Sequence, residues 1–103
     1  ESFLARRGRQ AWMDEAANLA TTLYPRLLRP EGKRFAPAKR GYSIAEVDRF
    51  MDRLAAFFDK GDPLKSTQLR RLTFSAAKAN KAYDEASVDA FIERAIEVLM
   101  RVE

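Results

Sequence analysis

The chain has 103 residues, of which 47% are hydrophobic and 33% charged, with a net charge of +4. That length and apolar content exclude a disordered polymer and suit one compact domain with a modest core. Cysteine and histidine are both absent, which removes disulfides, thiolate metal sites, the usual general base and the commonest zinc ligand.

A basic lead, Arg6-Arg7-Gly8-Arg9, opens the chain, and the sequence predicts a first helix over Gln10–Tyr24. Trp12, Ala16, Leu19, Ala20 and Leu23 recur there at helical spacing, and Pro25 is read as its stop. Residues 25–42 contain three prolines and two glycines and read as loop or extended chain. A second helix is expected from Ser43 to Lys60, closed by Gly61. Asp62-Pro63 then turns the chain, and a short helix is expected over Thr67–Leu72 with Ser66 as cap. Residues 74–83 read as a second loop, and the last helix runs from Asp84 to the C-terminus. The longest run of large apolar residues, Leu54–Phe58, is far shorter than the ~20 residues of a spanning helix. A cytoplasmic protein is therefore expected.

The segment Tyr42-Ser43-Ile44-Ala45-Glu46-Val47-Asp48-Arg49-Phe50 returns 41 residues later as Tyr83-Asp84-Glu85-Ala86-Ser87-Val88-Asp89-Ala90-Phe91. Each copy has the chemistry of a helix start. Ser43 and Glu46 spell a capping box, with Tyr42 and Val47 as its hydrophobic staple. Asp84 caps the second copy, and Tyr83 and Val88 staple it. Asp48 and Asp89 fall in the first turns, where the macrodipole favours anions. Gly41 is expected at positive φ. Downstream, Val47, Phe50, Met51, Leu54 and Phe57 correspond to Val88, Phe91, Ile92, Ala95 and Val98. Steps of three and four suit two helices that pair along one face. The fold class that follows is all-α: a small helical domain of two loop-helix repeats plus an N-terminal helix. Residues 1–32 form the lead and first helix, 33–61 the first repeat and 62–103 the second, in one compact domain.

These residues resemble a family. A Phe, a short basic loop, Gly-Tyr, a small cap and Val-Asp-x-Phe is the pattern of the bacterial DivIVA division and polarity proteins. The first copy has it in Phe35-Ala36-Pro37-Ala38-Lys39-Arg40-Gly41-Tyr42, and in the second copy Leu64, Leu69 and Phe74 fall at the family's spacing. The chain is similar in particular to the actinobacterial repeat type. The resemblance implies a short helix, a crossed loop and a long helix that pairs in parallel with its copy. It also implies a role in cell division or polar envelope growth, at the septum or pole, by contact with other proteins of those processes. The long coiled coil is absent and no bulky apolar residue flanks Arg40 at the loop tip, so a compact, non-enzymatic scaffold or adaptor is expected.

Lys33, Arg34, Lys39 and Arg40 are the candidate contacts for an anionic surface. A homodimer and a peripheral contact with anionic membrane remain open, and no cofactor or metal is expected. Because the chain holds both helices, they are expected to pair in parallel within one monomer about a pseudo-two-fold axis. The alternative function is a small basic nucleic-acid-binding protein, suggested by the pI of about 9.7 and by Arg70 and Arg71 on the short helix. Against it, residues 83–103 carry six acidic and two basic side chains, which face phosphates badly.

Overall fold

A computed structural model describes residues 23–102. The basic lead and nearly all of the helix expected over Gln10–Tyr24, including Trp12 and Leu19, lie outside the described residues. The first described element, α1, is Tyr24–Leu27, with Pro25 in its first turn. Proline is tolerated there because the first N–H groups of a helix have no internal partner. Leu23 and Leu27 are buried, and the Tyr24 ring lies 6.2 Å from that of Phe58.

Two long helices dominate: α2, Ile44–Lys60, and α4, Glu85–Val102. The Ser43 hydroxyl accepts the Glu46 N–H at 3.4 Å, and Gly61 closes α2 in the left-handed conformation. At the start of α4 the Asp84 carboxylate accepts the Ser87 N–H at 3.0 Å and the Ser87 hydroxyl at 2.8 Å. Between them lies α3, Ser66–Arg70, where the Gln68 side chain accepts the Lys65 N–H at 2.8 Å.

The all-α expectation is corrected here. The two stretches read as loops contain a three-stranded antiparallel sheet: β1 (Pro37–Ser43), β2 (Ala76–Lys78) and β3 (Ala82–Tyr83), in the order β2-β1-β3. Arg40 faces Lys78 and Tyr42 faces Ala76 on one side of β1, while Ser43 faces Ala82 and Tyr42 faces Tyr83 on the other. A turn of 3-10 helix, Ala79–Lys81, joins β2 to β3. Neither loop has the alternating apolar pattern of a strand. They pair because crossing buries Gly41, Ala82 and Tyr83, and buried backbone N–H and C=O groups need partners.

Gly41 is a second correction. Among the described glycines positive φ is found at Gly32 and Gly61, not at Gly41. Glycine is required at 41 by close approach, since a Cβ there would fall on the carbonyl oxygen of Tyr83. This is where β1 bulges between Pro37 and Tyr42.

The two long helices begin beside each other, because each is preceded by a strand of the β1–β3 pair. From that common origin Val47, Met51 and Leu54 of α2 and Val88, Ala95, Val98 and Leu99 of α4 are buried in one cluster.

Candidate functional site

The two copies of the repeat exchange their loops, and the exchange is reciprocal. Phe35, from the first loop, packs edge-on against Tyr83 and Phe91 of the second copy, with ring centroids 5.3 and 5.5 Å apart. Phe74, from the second loop, packs against Tyr42 and Phe50 of the first, at 5.4 and 6.2 Å. The Asp84 N–H donates to the Ala36 carbonyl, and the Ser43 N–H to the Ser75 carbonyl, both at 2.9 Å. The Tyr83 hydroxyl donates to Asp48 Oδ1 and the Tyr42 hydroxyl to Asp89 Oδ1, both at 2.7 Å. Each relation becomes the other by a shift of 41 residues along the helices and 39 along the loops. Phe50 and Phe91 therefore partner the opposite loop phenylalanines. The remaining residues expected at a helix-pairing face divide in two. Val47, Met51, Leu54, Val88, Ala95 and Val98 are buried, whereas Phe57 and Ile92 are half-buried at the margin of the core.

The tyrosine–aspartate exchanges are roles that the macrodipole reading of Asp48 and Asp89 missed. The only signal in the sequence was that Tyr-x5-Asp occurs in both copies. Burial, with the bond to Asp48, pushes the Tyr83 hydroxyl up to about 12. The bond to Asp89 does the same for Tyr42, also to about 12. Both hydroxyls therefore remain neutral donors at neutral pH.

The capping box is also revised. The Ser43 N–H is taken by the opposite loop, and Glu46 does not reach back to it. The Glu46 carboxylate accepts the Ser75 N–H at 3.1 Å instead, which lowers its pKa. Ser43 and Glu46 thus clamp one residue of the crossed loop between them.

Of the four residues proposed for an anionic surface, Arg34 is misplaced. It is 7% exposed, and its guanidinium is consumed inside the fold. Nη1 donates to the Asp48 carbonyl at 3.1 Å, Nη2 to Asp52 Oδ1 at 2.9 Å and Nε to the Arg29 carbonyl at 3.2 Å. Asp48 also accepts the Gly32 N–H at 2.8 Å. A guanidinium offers five N–H groups in a fixed fork, and here the fork ties the turn before β1 to α2. Lys33, Lys39 and Arg40 are exposed.

The sheet adds cations that the sequence reading left aside. Arg40 stands opposite Lys78 across the β1–β2 pair, and Lys81 follows on the exposed 3-10 turn. Like charges directly opposite each other across a strand pair repel, and an anionic partner relieves that repulsion. Glu85 is the one acid lining the shallow hollow that holds Arg40 and Lys78. Crossing the loops thus gathers basic side chains from both copies at the sheet.

Among the described residues no three His, Cys, Asp or Glu side chains are gathered as metal ligands would be. Among the same residues no helix is long and apolar enough to cross a membrane. No family model, curated protein or solved structure matches the chain.

Proposed function

We propose that the chain is a non-enzymatic scaffold or adaptor module of bacterial cell division or polar envelope growth, related to the DivIVA proteins. In this reading one chain folds as an internal version of a two-chain crossed-loop dimer. It presents helix faces to partner proteins and a basic sheet tip to an anionic surface such as the cytoplasmic leaflet. The observation that carries the reading is the reciprocal exchange: Phe35 and Phe74 each pack on the tyrosine and helix phenylalanine of the other copy. Two copies that satisfy each other in this way leave single-chain units for recruitment rather than for building a lattice. Surface attraction at the sheet tip is about 1 kcal/mol per basic side chain, enough to bias location and too little to anchor alone.

Light scattering on the full chain is expected to give the single-chain mass of 11.8 kDa. In cells, a fluorescent fusion should concentrate at septa or poles, and the triple variant Lys39→Glu, Arg40→Glu, Lys78→Glu should disperse it. A uniform distribution of the parent fusion, or an obligate dimer in solution, would overturn the reading.

A further inference from the structure

The two ends of the pseudo-two-fold carry the same acceptors but not the same donor. Asp48 and Asp52 correspond to Asp89 and Glu93, while Arg34 corresponds to Thr73. At the first end the Arg34 guanidinium fills the space, bonded to the Asp48 carbonyl and the Asp52 carboxylate. At the second end Thr73 is too short to do so. A groove of about 530 Å3 lies there between α3 and α4, with Leu72, Phe74, Ile92 and Ile96 as its apolar lining and Asp89 and Glu93 among its polar residues. Arg34 lies 3.7 Å from Asp48 Oδ1 and 2.9 Å from Asp52 Oδ1 at the first end, whereas Thr73 brings no cation to Asp89 and Glu93 at the second. Arg70 also lines the groove, but its guanidinium donates to the Met100 sulfur at 3.0 Å. Met100 is eleven residues beyond Asp89, about 16 Å along the helix.

We propose that this groove is an arginine-acceptor site for a partner protein. The occupant is an arginine flanked by aliphatic side chains, its guanidinium placed against Asp89 and Glu93 as Arg34 is placed against Asp48 and Asp52. The internal template defines the chemistry, because one chain already shows a guanidinium bound by the equivalent acceptors. Charge and shape agree with it. Residues 83–103 are net acidic, and the half-buried Ile92 and Ile96 offer apolar surface to the flanking side chains. Arginine suits the site better than lysine because its planar fork reaches a carbonyl and a carboxylate together. The inference deepens the scaffold reading by naming the chemistry of one partner, and it rests on that reading only for its biological setting.

The test uses the full 15N-labelled chain titrated with acetyl-Leu-Arg-Leu-amide and with the same peptide carrying citrulline, a neutral isostere. The arginine peptide should shift the amide signals of Thr73, Asp89 and Glu93 and bind at least tenfold more tightly than the citrulline peptide. Glu93→Gln, at an exposed position, should weaken it at least tenfold with the rest of the spectrum unchanged. Thr73→Arg should abolish binding by supplying the missing guanidinium in cis. Equal binding of the two peptides, unchanged binding by Thr73→Arg, or no shifts at all would overturn the proposal. Binding that emerges only when Arg6, Arg7 and Arg9 are all changed to Gln would assign the groove to the chain's own lead and overturn the partner assignment. None of these failures touches the single-chain mass or the septal location on which the scaffold reading stands.

Discussion

Tyr42 and Tyr83 are paired across the β1–β3 ladder, and each sends its hydroxyl to the aspartate that belongs to the other's helix. The two bonds are equal in length and unequal in burial: Tyr83 is fully buried, and Tyr42 is partly exposed. Tyr83→Phe leaves Asp48 Oδ1 short of a donor and removes the acceptor of the Arg34 N–H. A buried polar group left unmatched costs about 1–3 kcal/mol. Tyr42→Phe is expected to cost below about 1 kcal/mol, because water can replace its bond. Urea unfolding of the two variants checks the order, and equal losses would contradict it.

The same hydroxyls set an alkaline limit. Tyrosine titrates near 10.0 when unperturbed, and both side chains are raised to about 12 in the fold. Between those values the folded state holds protons that the unfolded chain has released, so stability falls as pH rises. The contribution is complete below pH 10 and gone above about 12. Unfolding free energy measured from pH 8 to pH 12 should drop more steeply for the parent than for Tyr83→Phe. Parallel curves would show that Tyr83 is not coupled in this way.

Gly41 is predicted to be intolerant of any side chain. Its would-be Cβ meets backbone, the Tyr83 carbonyl, rather than a movable side chain. Gly41→Ala should therefore destabilise by about 1–3 kcal/mol or more, as overpacking does. An ordinary glycine in a strand would gain from the same change, because alanine lowers the entropy lost on folding. Thermal melts that leave Gly41→Ala level with the parent would remove the close approach from the account.

Arg34 and Arg40 look alike in the sequence and should behave differently. Arg34→Met leaves the buried Asp48 without its cation, and breaking a buried pair from one side costs about 3–5 kcal/mol. Arg40→Ala, on an exposed strand position, should stay within about 0.5 kcal/mol and is expected to act on anionic-surface binding instead. Vesicle co-sedimentation with and without anionic lipid, beside the denaturation curves, separates the two outcomes.

Local sequence was enough to place the long helices. Ser43, Asp84 and Gly61 are cap residues whose side-chain or backbone chemistry acts over three or four positions, and the period of Val47, Met51 and Leu54 lies within three turns. The 41-residue repeat likewise puts Tyr42 and Asp48 at positions equivalent to Tyr83 and Asp89.

What tertiary structure decided is everything that depends on residues far apart in the chain. Arg40 meets Lys78 and Ser43 meets Ser75 only because the loops cross, so no window along the sequence contains the sheet. Glu46 matches the capping-box pattern, yet its carboxylate serves the opposite loop, whose N–H needed an acceptor in the fold. Arg34 is buried while Lys39 and Arg40 are exposed, a difference set by Asp48 and Asp52 beneath it rather than by residue type. Propensity and capping are properties of neighbours in sequence; the pairing of buried backbone groups and charges is a property of neighbours in space, and that pairing turned two loops into a sheet.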